Sequence, residues 1–183
     1  MFAARDIPNL ITIARILLVA PVVWSLLDGR FELALLLFLV AGISDGVDGY
    51  LAKHYGWQSK LGGLLDPLAD KLLLVSTYLC LGWLGALPLW LVGLVLLRDL
   101  VIIGGALAYR LRVAAFEADP AMISKLNTLL QIVLGLFVVI HLAGLELPPH
   151  WLDILIAAVT LSTLASGIYY VVEWSRRARR ASV

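Results

Sequence analysis

The stretch Ser44-Asp45-Gly46-Val47-Asp48-Gly49-Tyr50-Leu51-Ala52-Lys53, followed after eight residues by Gly62-Gly63-Leu64-Leu65-Asp66-Pro67-Leu68-Ala69-Asp70, sets four aspartates where two long apolar runs meet. A bilayer-spanning helix takes about 20 mostly apolar residues, and each of the two runs is long enough. A charge at the centre of such a helix costs about 2.5–3.5 kcal/mol on insertion scales, so carboxylates here call for a function. On a helix Asp45, Asp48, Gly49 and Ala52 share one face, and Asp66 and Asp70 share a face of the next helix. Pro67 then suits the first turn of that second helix, where its missing N–H costs nothing.

The rest of the chain has the same apolar character. Of its 183 residues 62% are hydrophobic and 15% charged, with a mean hydropathy of +0.97, where a soluble domain is about 45–50% apolar and about 25% charged. That excludes an ordinary soluble domain, a disordered chain and a nucleic-acid-binding module. Cys80, the lone cysteine, excludes a disulfide scaffold. Six apolar stretches stand out, at about Ile7–Leu27, Phe31–Ala52, Leu65–Gly85, Pro88–Tyr109, Ala121–Ala143 and Trp151–Trp174. The expected fold is all-α, a polytopic membrane protein with six transmembrane helices forming a single membrane domain over residues 1–183. Tryptophans at 24, 83, 90, 151 and 174 fall near span ends and read as interface anchors. Arg15 inside the first apolar run argues against a cleaved signal peptide.

Basic residues set the expected orientation. Twelve of the 14 Lys and Arg fall on one side of the six spans: Arg5 and Arg15, Lys53, Lys60 and Lys71, Arg110, Arg112 and Lys125, and the tail Arg176, Arg177, Arg179 and Arg180. Arg98 lies mid-span and Arg30 alone marks the other side. Both termini, the second and fourth loops and the aspartates are therefore expected to face the cytoplasm.

Antiparallel helices joined by a short loop would bring the two acidic faces together. Four converging carboxylates repel one another and need cations. Hard oxygen donors without His or Cys point to Mg²⁺, Mn²⁺ or Ca²⁺ rather than zinc, and four carboxylates balance two divalent ions. Gly49, Ala52 and Gly62 let a ligand approach the backbone, and Lys53 and Ser59 offer a cation and a hydroxyl suited to phosphate. Close helix packing accounts for the glycines taken alone, but it leaves four intramembrane aspartates unexplained. A cation channel or transporter would need polar residues continuing to the other face, and the first and sixth spans offer no such path.

This pattern resembles the CDP-alcohol phosphatidyltransferase signature, D-x-x-D-G-x-x-A-R followed by G-x-x-x-D-x-x-x-D. Asp45, Asp48, Gly49, Ala52, Gly62, Asp66 and Asp70 occupy the matching positions, with Lys53 where the family usually has Arg. The opening Pro8-Asn9-Leu10-Ile11-Thr12 with Arg15 and the six-span layout extend the resemblance over most of the chain. The resemblance implies a site of two ions, usually Mg²⁺ with Mn²⁺ an alternative, held by Asp45, Asp48, Asp66 and Asp70. It implies contacts from Gly49, Lys53 and Ser59 to the CDP part of CDP-diacylglycerol, and Asp70 as the general base. It also implies a homodimer among membrane lipids, and the chain is expected in a bacterial inner membrane, since no transit peptide is evident.

The acceptor alcohol must be read from the fourth and fifth spans. Members using glycerol 3-phosphate tend to have R-E in span four, another Arg about two turns on, and K-x-K-T at span five. Here Arg98 is followed by Asp99, Ala106 stands at the second arginine's place, and Lys125-Leu126-Asn127-Thr128 has Asn for the second Lys. Two cations suited to a phosphomonoester dianion are missing, whereas a phosphodiester needs fewer. These segments resemble the cardiolipin synthase branch, which joins phosphatidylglycerol to CDP-diacylglycerol, and Arg98 and Lys125 become the acceptor contacts. Phosphatidylglycerophosphate synthase is the alternative, and an internal ion pair is the plain account of Arg98-Asp99.

Overall fold

The computed structural model describes residues 7–57, 62–112, 121–148 and 150–181. Among these, all regular structure is helical. The six helices are α1 (Ile7–Leu27), α2 (Phe31–His54), α3 (Gly62–Trp83), α4 (Leu89–Arg112), α5 (Met122–Leu142) and α6 (Trp151–Ala181). The expected boundaries hold within a few residues except at α6, which runs on as helix through the arginine-rich segment. Pro67 lies inside α3 rather than in its first turn, because the helix begins at Gly62.

Among the described residues three helices, α1, α5 and the Trp151–Arg176 part of α6, are long and apolar enough to cross a membrane, where six were expected. The other three break their apolar runs with charge: Glu32, Asp45, Asp48 and Lys53 in α2, Asp66, Asp70 and Lys71 in α3, and Arg98 and Asp99 in α4. The surface confirms the solvent. Leu17, Ile43, Leu100, Leu161 and Ile168 are all exposed, on a scale that water would penalise and a lipid phase accepts.

α1, α3 and α5 end in one way, legible in the sequence as glycine. At the end of α1, Gly29 takes φ +73°, its N–H donates to the Leu26 carbonyl at 3.2 Å, and the Arg30 N–H reaches the Ser25 carbonyl at 2.9 Å. Orphaned helix-end carbonyls are thereby satisfied before the chain turns. Gly85 and Gly144 repeat the arrangement after α3 and α5.

The chain divides into two compact units. The first holds Met1–Ala86 with Gly135–Leu147, and is built on α1 packed against both α2 and α3. The stripe of α2 that is buried reads Ala34, Phe38, Ala41 and Asp48, spacings that keep one helical face inward. Tyr78 of α3 is fully buried, and Gly135 of α5 leaves room beside its ring. The second unit holds Leu87–Leu134 with Pro148–Val183, and α4 packs on α6 within it.

Glycine at 105 is a packing requirement of that second unit. A Cβ there would stand 2.7 Å from the indole of Trp174. Trp174 is accordingly half-buried and packs on α4, while Trp24, Trp83, Trp90 and Trp151 are exposed. Gly105→Val is expected to lower stability in detergent by about 1–3 kcal/mol through overpacking. Gly93→Ala, with open space around its Cβ, should stay within about 0.5 kcal/mol. Thermal melts of the two variants side by side check the difference, and equal melting would contradict it.

Candidate active site

The four aspartates do converge, though on a third helix rather than directly on each other. α1 presents Thr12 and Arg15 from one buried face, three residues apart and so on the same side of the helix. Arg15 is 1% exposed and reaches three carboxylates. Its Nη1 lies 2.6 Å from Asp45 Oδ1 and 2.8 Å from Asp70 Oδ1, and its Nη2 lies 2.5 Å from Asp48 Oδ2. Thr12 Oγ1 lies 2.6 Å from Asp66 Oδ1 and 3.3 Å from Asp48 Oδ2, and 3.0 Å from the Pro8 carbonyl oxygen. A hydroxyl has one proton to give, so Thr12 shares it among these acceptors, with Asp66 the shortest.

A guanidinium in an apolar helix cannot remain unpaired. It draws Asp45 and Asp48 from α2 and Asp70 from α3, and Thr12 draws Asp66. Sequence reasoning quoted Thr12 and Arg15 as part of a resemblance and gave neither a role at the acidic site. The available signal was an arginine in the middle of an apolar helix, whose partners must be acids elsewhere in the chain.

Asp48 is buried, whereas the side chains of Asp45 and Asp70 are 46% and 51% exposed. The cluster is therefore anchored at one end and open at the other. Gly49 is exposed and Gly62 buried. Ser59 and the side chains of Ala52 and Lys53 lie outside the described residues.

Among the described residues, no group of three or more His, Cys, Asp or Glu side chains is arranged to hold a metal ion. Arg15 stands among the carboxylates where such an ion would sit. The donor set nonetheless fits a hard divalent cation. Every donor is a carboxylate oxygen, four acids face one guanidinium, and Asp45 and Asp70 reach solvent.

The second unit has a buried polar network of its own. Arg98 is 5% exposed; its Nη1 lies 2.8 Å from Asp99 Oδ1, its Nη2 donates to Ser124 Oγ at 2.6 Å and to Ser166 Oγ at 2.7 Å, and its Nε donates to Ser166 at 3.1 Å. A Cβ added at Gly167 would meet the Arg98 stem at 3.9 Å, an ordinary contact. Asn127, wholly buried, accepts from Ser162 and Thr163 through Oδ1, each at 2.8 Å. Lys125 is exposed. An apolar groove of about 290 Å³ between α4 and α6 has Arg98 in its lining, together with Leu97, Val101 and Ile168.

An all-helical membrane protein with a part-buried cluster of four aspartates is the class that fold and site define. The family model for CDP-alcohol phosphatidyltransferase matches residues 5–168, and the chain belongs to that family. A probable cardiolipin synthase (CMP-forming) of Drosophila melanogaster is 35% identical over 69% of this chain and 44% of its own length. A cardiolipin synthase (CMP-forming) of Streptomyces coelicolor is 39% identical over 53% of this chain and 48% of its own. A probable phosphatidylglycerophosphate synthase of Mycobacterium tuberculosis is 35% identical over 91% of this chain and 80% of its own. The chain thus spans about half the length of the cardiolipin synthases it matches.

Arg98 tests how tightly the second unit depends on its ion pair. Arg98→Ala is expected to cost about 3–5 kcal/mol, because a buried ion pair loses one of its two members. The double variant Arg98→Ala with Asp99→Ala should recover part of that loss. Denaturation in detergent measures both, and a double variant less stable than the single one would contradict the pairing.

Proposed function

We infer that this protein transfers the phosphatidyl group of CDP-diacylglycerol to a hydroxyl of phosphatidylglycerol, yielding cardiolipin and CMP. The observation that carries the transferase reading is the gathering of Asp45, Asp48, Asp66 and Asp70 around Thr12 and Arg15, at the positions of the family's signature. Asp45, Asp48, Asp66 and Asp70 would hold Mg²⁺ or Mn²⁺, as two ions by charge balance, and the chemistry supplied there is neutralisation of the pyrophosphate and of charge growing on phosphorus. Asp70, half exposed and close to solvent, takes the proton of the acceptor hydroxyl. The acceptor oxygen forms its bond to the β-phosphorus as the bond to the CMP oxygen breaks. Gly49 and Gly62 let the donor approach the backbone, and Ala52, Lys53 and Ser59 complete the nucleotide contact.

Phosphatidylglycerol is favoured over glycerol 3-phosphate by the neutral residues of the second unit. Asn127 is a buried hydrogen-bond acceptor for Ser162 and Thr163, where a second lysine would serve a phosphomonoester dianion. Lys125 is exposed to meet an acceptor phosphate, and Arg98 lines an apolar groove suited to a lipid chain. The relative named as a phosphatidylglycerophosphate synthase, matched over most of this chain, keeps glycerol 3-phosphate as the second reading. The remaining helices α2, α3 and α4 complete six spans in this reading, with the aspartates at the cytoplasmic face according to the distribution of Lys and Arg.

Purified protein with Mg²⁺ is expected to release CMP from CDP-diacylglycerol when phosphatidylglycerol is supplied. Glycerol 3-phosphate offered separately should release little, and activity with it alone would transfer the assignment to the second reading. No CMP with either acceptor would defeat both. Asp66→Asn should reduce turnover by at least about 10³-fold, the scale of a lost charge-stabilising group, and substantial retained activity would count against the metal role.

A further inference from the structure

Arg15 places a permanent positive charge among the carboxylates that the preceding reading gives to a cation. It is 1% exposed, and it reaches one oxygen each of Asp45, Asp48 and Asp70 at 2.5–2.8 Å. Among the described residues its Nε has no hydrogen-bond partner, and the guanidinium is held there by its two terminal nitrogens. A divalent ion such as Mg²⁺ binds carboxylate oxygen at about 2.0–2.1 Å. An ion on the same oxygens would stand in near contact with the guanidinium, and like charges at that range repel.

We propose that Arg15 is an internal counter-ion that holds Asp45, Asp48 and Asp70 together before a metal arrives and competes with divalent cations for their oxygens. The proposal rests on the metal reading of the four aspartates. Arg15 is a positioning residue, acting through the carboxylates and touching no reacting atom. Without it, four acids from two helices would repel one another across the buried end of the cluster. With it, metal binding displaces or shifts the guanidinium, and affinity is set below what the bare carboxylates would give. Thr12, which carries no charge, holds Asp66 by hydrogen bond and enters no such competition.

The full-length chain in detergent micelles is titrated with Mn²⁺, and the unbound ion is read by electron paramagnetic resonance. Thermal melts are recorded with Mn²⁺ and with chelator. Arg15→Gln is expected to bind Mn²⁺ at least about tenfold more tightly than the natural chain, as removal of one adjacent charge predicts. It should also melt lower than the natural chain in chelator and gain more from Mn²⁺, since an ion that binds the folded state stabilises it. Arg15→Lys, which keeps the charge, should bind within about threefold of the natural chain, and Thr12→Val should not tighten binding.

Unchanged or weaker Mn²⁺ affinity in Arg15→Gln would overturn the competition while leaving the metal reading intact. If Arg15→Gln folds only with Mn²⁺ present and the natural chain folds without it, the proposal holds. A variant equally unstable with and without Mn²⁺ makes Arg15 structural only and overturns it. Absence of Mn²⁺ binding by the natural chain and by Arg15→Gln alike would remove the metal reading and this proposal with it.

Discussion

A guanidinium taken out of water must be met by acids, and the first unit is organised by that constraint. Arg15 comes from α1, Asp45 and Asp48 from α2, and Asp70 from α3. The three contacts hold only if α1 packs against both neighbours, which it does. Apolar packing in a membrane contributes little to choosing one helix neighbour over another, because lipid tails are as apolar as leucine. Directional charge pairing supplies the selectivity that hydrophobic burial supplies in a soluble core. The same pairing fixes where the acidic oxygens stand, so the fold and the chemistry share one set of contacts.

The second unit solves a related problem with different residues. Arg98 sits beside its own Asp99 in sequence and draws hydroxyls from α5 and α6. Here the charges cancel locally, while in the first unit four acids face one base. That difference separates a network that only needs to hold from a cluster with charge to spare. Hydroxyls and amides such as Ser25, Thr77, Asn127, Gln131, Thr163 and Ser166 are buried, while Leu17, Ile43, Leu100, Leu161 and Ile168 face outward. The interior is polar in patches because lipid leaves polar groups nowhere else to go.

Much of this was legible in the chain before any coordinates. Apolar runs gave five of the six helices to within a few residues at each end. The aspartates announced themselves because charge in an apolar run is conspicuous. The part played by Arg15 was not legible, since nothing in linear order ties residue 15 to residues 45, 48 and 70. Spacing on one helix is local knowledge, whereas a partner on another helix depends on packing. The hairpin logic that paired α2 with α3 left out α1 for the same reason. The packing of Trp174 on α4 was not legible either, because periodicity does not reveal that Gly105 opens a seat for its ring.

The continuation of α6 through Ala181 has a mechanical consequence. At about 1.5 Å per residue, its 31 residues form a rod about 46 Å long, against a hydrocarbon thickness of about 30 Å. The excess of roughly three turns is the part that carries Arg176, Arg177, Arg179 and Arg180. Those positions belong to the backbone of the helix, which runs to Ala181. A helix longer than the hydrocarbon is thick carries its last turns out to the level of the headgroups.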